Sequence, residues 1–141
     1  MTSNLSKPKV VIDTNVWISA IFWGKKPRKI IEAWVNNRFY LIASPDLLSE
    51  LYKTIEKKAK ILKPAPNFAL EWLKLIDQKS ILVYPKKKVK ICRDLKDNTL
   101  LEACSKSEAD YLITGDKDLL VLKTFKKTKI FTPQKFLTKL S

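Results

Sequence analysis

The chain has no histidine, only two cysteines, and half as many acidic as basic residues. Without histidine there is no imidazole ligand for zinc and no His-dependent nucleophilic triad. Cys92 and Cys104 lack metal-ligand spacing, so a thiolate centre has no basis either. A metal, if bound, must be held by oxygen, which points to magnesium or manganese. No apolar run approaches bilayer length and the N-terminus lacks a signal-peptide apolar region. A cytoplasmic protein without a membrane partner is expected.

What is present is positive charge. Lys and Arg number 28 against 14 Asp and Glu, a formal charge of +14. Such a balance favours a polyanionic partner, nucleic acid first and an acidic protein second. The 141 residues, 45% of them apolar, suffice for a single domain over 1–141 with a real core. Repeats, low-complexity segments and linkers long enough to divide domains are all missing.

The first strong signal is Lys9-Val10-Val11-Ile12-Asp13-Thr14-Asn15. Val10, Val11 and Ile12 show no polar alternation, as in a parallel strand buried on both faces. Open α/β sheets collect their ligands where such strands end, which is where Asp13 stands. Asn15 to Phe22 reads as a short helix or turn, broken at Gly24 and restarted at Pro27. Strands are expected at Phe39–Ala43, Ile81–Tyr84, Tyr111–Thr114 and Lys129–Phe131. Helices are expected from Pro45, over Phe68–Ile76, from Asp97 to about Ser107, and over Pro133–Leu140. Residues 1–8 are expected to fray, and Pro64 and Pro66 to interrupt. Strands alternating with helices predict a parallel sheet covered on both faces.

The few acids are unevenly placed. Asp13 and Asp116 each follow an apolar strand; Glu50 lies one turn into a helix, four residues after Asp46; Asp97 opens another helix. If the strand ends cluster, these side chains converge, and converged carboxylates hold together only around cations. Each also has an ordinary explanation. Asp13 or Asp97 can cap a helix, and Glu50 can pair with Lys53. Asp118 can simply start the helix over Leu119 and Leu120, and Asp94 can pair with Arg93 or Lys96 in a loop.

Four blocks in register carry a family resemblance. Val11-Ile12-Asp13-Thr14-Asn15-Val16, Ser44-Pro45-Asp46-Leu47-Leu48-Ser49-Glu50-Leu51, Cys92-Arg93-Asp94-Leu95-Lys96-Asp97-Asn98 and Tyr111 to Asp118 together resemble PIN-domain ribonucleases. The likeness is to the prokaryotic subfamily of toxin components of toxin–antitoxin systems. It implies a three-layer α/β/α sandwich with a central parallel sheet and a metal-dependent endoribonuclease. The acidic ligands match Asp13, Glu50, Asp97 and Asp116, and Asp118 matches a further acid of the last block. Leu95 departs from the pattern, where the subfamily often has Pro.

On this reading Asp13 and Asp97 are the principal ligands of Mg²⁺ or Mn²⁺, with Glu50 and Asp116 completing the site. The bound metal would activate water for attack on a phosphodiester. Thr14, Asn15 and Thr114 would orient the carboxylates. Lys86, Lys87, Lys88, Lys90 and Arg93 would follow the RNA backbone, with a solvated loop as their ordinary alternative. Trp17 and Trp23 are candidates for stacking on bases, core packing being preferred for Trp17. RNA, an antitoxin protein and a second copy of the chain are the expected partners. An aspartyl-phosphate phosphatase would carry a second Asp where Asn15 stands, and a phospho-receiver would not end its third strand in Tyr84-Pro85. A PIN-like module that binds RNA without cutting it stays open.

Overall fold

The computed structural model describes residues 7–62 and 68–140. The expected interruption at Pro64 and Pro66 and most of the expected frayed start lie outside those residues. The elements run β1 (Lys9–Ile12), α1 (Thr14–Phe22), α2 (Lys25–Val35), β2 (Tyr40–Ala43), α3 (Pro45–Ile61), α4 (Phe68–Lys79) and β3 (Ile81–Leu82). They continue with α5 (Leu95–Ser107), β4 (Tyr111–Ile113), α6 (Lys117–Leu120), β5 (Thr124–Phe125), β6 (Thr128–Phe131) and α7 (Pro133–Leu140).

The sheet order is β3-β2-β1-β4-β6-β5. The pairs among the first five are parallel, with Val11 opposite Ile42 on one side and Leu112 on the other. Only β5 runs antiparallel, against β6. From β1 the chain steps outward through β2 to β3, then crosses back to place β4 on the other flank of β1. The strand order therefore reverses between β1 and β4, and in open α/β sheets a crevice opens at the carboxyl ends of such a pair.

Alternate residues of each strand enter different apolar layers. Val10, Ile12, Leu41, Ala43, Ile113 and Phe131 face the layer built with α1, α2, α4 and α7, around Trp34 and Phe136. Val11, Ile42, Leu112 and Ile130 face the layer built with α5 and α6, around Leu101 and Leu119. Each fully buried side chain of this size contributes about 1.5–3 kcal/mol. Strands buried on both faces need no polar alternation, and the expected α/β/α sandwich is the observed one.

Local corrections have local causes. The expected strand Ile81–Tyr84 is regular only over Ile81–Leu82, with one more bond from the Val83 N–H to the Ala43 carbonyl, because it is the sheet edge and Pro85 cannot donate to a ladder. The hairpin between β5 and β6 was not foreseen: its turn puts Lys126 at φ 53°, a conformation that Asn or Gly would have announced. α2 begins two residues before Pro27, after Gly24 at φ 83°. Arg28 fills the space beside Gly24 and donates to the Ala20 and Ile21 carbonyls that end α1. Trp17 is buried, packed edge-on against Trp34 at 5.6 Å, so it cannot stack on a base. Trp23 is exposed but lies at the far end of α1 from Asp13.

Candidate metal centre

Asp13 and Asp116 leave the sheet at the ends of the two strands where the order reverses. The Asp13 N–H donates to the Ile113 carbonyl at 3.0 Å, which locks the end of β1 to the end of β4. Thr114, fully buried, then joins the two acids. Its hydroxyl donates to Asp13 Oδ2 at 2.7 Å, and the Thr114 Oγ1 accepts the Asp116 N–H at 3.0 Å. Both acids also cap helices: Asp13 Oδ1 accepts the Asn15 N–H at 3.4 Å, and Asp116 Oδ1 accepts the Asp118 N–H at 2.8 Å. The capping explanation is thus correct without excluding another use, since a cap engages only one carboxylate oxygen.

Asp97 is not a cap. α5 begins at Leu95, and its cap is Asp94, whose side chain accepts the Lys96 N–H at 3.0 Å. Asp97 is therefore the third helical residue, rotated inward, and only 4% exposed. Its carboxyl is pushed from 3.8 up to about 7, first by burial and then by Asp116, with Asp94 and Asp13 adding to the effect. Its Oδ2 is shielded and has no hydrogen-bond partner. Asp13 is also raised, by burial above all. The Thr114 and Asn15 hydrogen bonds oppose that rise, and the charges of Glu50 and Asp116 reinforce it. The same field reaches Cys92, whose thiol is pushed up by burial and by Asp97, Asp116 and Asp118.

Asp13 thus feels the charges of Glu50 and Asp116, and Asp97 those of Asp116, Asp94 and Asp13. Asp97, Asp116 and Asp118 each present a carboxylate oxygen within 4.8 Å of the others. Asp118 sits in the first turn of α6, as expected, with Asp116 as the cap of that helix. Its carboxylate also receives Arg93 at 2.9 and 3.2 Å. Arg93 thus belongs to the acidic centre, and Asp94 takes neither of the side-chain partners expected for it. Glu50 has no ion pair with Lys53: the salt bridges among the described residues are Arg93–Asp118 and Lys127–Glu108.

Such a set fits a hard divalent cation: the donors are all oxygen, they repel one another, and one is left shielded and unsatisfied. Of the expected orienting residues, Thr114 holds two of the acids. Asn15 contributes its backbone N–H, and its side chain is exposed. Thr14 is buried and borders a small gap in the apolar layer with Ile12 and Trp17.

Residues 9–118 match the PIN domain. The chain belongs to the PIN-domain family. PIN domains are generally nucleases. This PIN domain is 33% identical to the uncharacterized protein MJ1680 of Methanocaldococcus jannaschii, over 93% of this chain and 90% of that one. Its fold is similar to that of PAE2754 from Pyrobaculum aerophilum, with TM-score 0.62, 16% identity, and coverage of 95% and 90% of the two chains. It is also similar to VapBC2 from Rickettsia felis, solved bound to a DNA fragment from its promoter, with TM-score 0.59, 13% identity and coverage of 88% and 98%. The corresponding values for FitAcB from Neisseria gonorrhoeae are 0.56, 15%, 89% and 98%.

Two residues near the PIN centre escaped the sequence reading. Asn98, 4% exposed, donates to the Cys92 carbonyl at 3.0 Å and accepts the Cys92 N–H at 2.8 Å. It so anchors the loop that carries Arg93. Glu102, 8% exposed, accepts the Val89 N–H at 2.9 Å and anchors the lysine-rich loop. Polar residues on the inner face of a helix were the available signal. The lysine loop itself is away from the acids: Lys86, Lys87 and Lys88 line a cleft of about 490 Å³ with Ser105, Lys106 and Lys126, towards the far end of α5. Lys90 is exposed and outside that cleft. Among the described residues, no helix is long and apolar enough to cross a membrane.

Proposed function

We propose that the chain, as one domain over residues 1–141, is a cytoplasmic metal-dependent endoribonuclease and the toxin of a toxin–antitoxin pair. The observation that supports the nuclease reading is a gathering of carboxylates: Thr114 ties Asp13 to Asp116, Asp97 and Asp116 bring oxygens within 4.8 Å of each other, and the Oδ2 of Asp97 is shielded and unpartnered. Asp13 and Asp97 would hold Mg²⁺ or Mn²⁺, with Glu50 and Asp116 completing the site. Asp118 lies beside Asp97 and Asp116 while paired with Arg93, and would be a further ligand. A divalent ion, when bound, would supply a polarised water and positive charge at the scissile phosphate.

The chain's own residues prepare that site. Thr114 fixes the orientation of Asp13 and the backbone of Asp116 together, so their free lone pairs keep one aim. Arg93, exposed and adjacent to the acids, is placed to meet a phosphate oxygen. Burial of Asp97 removes competing water from one of its oxygens.

The decisive experiment is cleavage of single-stranded RNA with Mg²⁺ or Mn²⁺, with EDTA, and by the Asp13→Asn and Asp97→Asn variants. Cleavage by the wild type with metal is expected, falling at least 100-fold with EDTA or in either variant. Wild-type rates in the variants would remove the metal-site assignment. The toxin part is supported by the four-block resemblance and by the likeness to VapBC2 and FitAcB. An acidic antitoxin segment, and a second copy of the chain, are the protein partners this reading calls for.

A further inference from the structure

We infer that a lysine track along α5, beginning beside Glu50, seats several nucleotides of single-stranded RNA away from the scissile bond. This rests on the nuclease reading for the identity of the strand, and on independent geometry for its path. The track is made of three adjoining clefts. The first, about 420 Å³, is walled by Glu50, Lys53 and Lys57 of α3 and Lys96 of α5. The second, about 140 Å³, shares Asp46 with the first and includes Thr99, Glu102 and Lys88. The third, about 490 Å³, shares Lys88 and Glu102 with the second and continues to Lys106 and Lys126.

Helical spacing produces this alignment. Asp46, Glu50, Lys53 and Lys57 recur at intervals of four, three and four, one stripe of α3. Lys96, Thr99, Glu102 and Lys106, at intervals of three, three and four, form a matching stripe on α5. Ten residues separate Lys96 from Lys106, about 15 Å of helix, enough for a few nucleotides.

The track keeps an excess of positive charge: eight lysines line the three clefts against four acids, Asp46, Glu50, Glu102 and Glu108. Glu102 is engaged by the Val89 N–H, and Glu108 by Lys127. Among the described residues, Lys53, Lys57, Lys88, Lys96 and Lys106 form no ion pair, and Lys126 donates to the neutral Ser105 hydroxyl. Ammonium groups lining a groove from both sides, in excess over its acids, match a chain of phosphates. The groove joins the acidic centre at Glu50, so a strand lying in it would pass the candidate metal site.

The test measures binding, not cleavage, in protein carrying Asp97→Asn. Fluorescence anisotropy would follow a labelled 4-nucleotide and a 12-nucleotide oligoribonucleotide from low to moderate salt. Lys53→Ala with Lys57→Ala is expected to weaken both oligonucleotides about tenfold and to lower the log–log salt slope by about 1.4, two single-strand phosphates. Lys106→Ala with Lys126→Ala should weaken the 12-mer and spare the 4-mer. Lys25→Ala with Lys26→Ala, equal in charge but on α2 and outside all three clefts, should change neither. An equal loss from the control pair, equal effects of the far pair on both lengths, or preference for polyglutamate over RNA would each overturn the track. Failure of the wild type to cleave RNA would overturn the nuclease reading while leaving these binding outcomes readable.

Discussion

Asp97 is held in a place that disfavours its charge. Its carboxyl, ordinarily near 3.8, is pushed up to about 7 by burial and then by Asp116. Between those values the ion-free folded protein keeps a proton that the unfolded chain has already released. Stability from this group therefore falls as pH rises through the interval, and above about 7 the full penalty remains. Asp97→Asn should melt higher than the wild type at pH 8 in EDTA, with the advantage shrinking towards pH 4. Added Mn²⁺ should raise the wild-type melting temperature and leave that of the variant nearly unchanged. Thermal unfolding at pH 4, 6 and 8 checks this, and a pH-independent difference would show that the carboxyl is not strained.

At the scale of elements, α5 presents Asp97 to the acids and uses Asn98, its next residue, to hold the loop that carries Arg93. Loop backbone lying near a charged centre has no ladder to join, so a buried amide side chain satisfies it instead. Asn98→Ala removes two hydrogen bonds at a buried position and should cost about 2 kcal/mol. It should also speed hydrogen exchange at the Cys92 amide relative to the β1 amides. Unfolding in urea and exchange rates read the two effects separately. Unchanged exchange at Cys92 would mean that the loop is held by other contacts.

The whole molecule sets a few buried acids inside a strongly basic surround. With +14 overall, it attracts polyanions from a distance, while the acidic centre repels them unless cations intervene. An active ribonuclease with that attraction would harm its host unless restrained. Expression of the chain alone should slow growth, and expression with its neighbouring reading frame, or as Asp97→Asn, should restore it. Equal growth in all cultures, with no co-purifying partner, would remove the toxin reading and leave an RNA-processing nuclease.

Val10, Val11 and Ile12 announced a doubly buried strand through hydrophobicity alone, and Pro45 and Pro133 announced helix starts, because these signals are local. The alternation of strands and helices was legible for the same reason, and the four acid-bearing blocks through their resemblance to the PIN family. Edge and hairpin details were not: a two-residue edge strand and a turn at Lys126 have weak local signatures. Only tertiary structure decided that Asp97 faces inward while Asp94 caps α5, since one helical step exchanges those roles. It alone paired Arg93 with Asp118 across the site and aligned lysines from α3 and α5 along one groove. Such placements depend on where β1 and β4 meet at the reversal of strand order. That reversal is a property of connections between distant stretches, which no local spacing encodes.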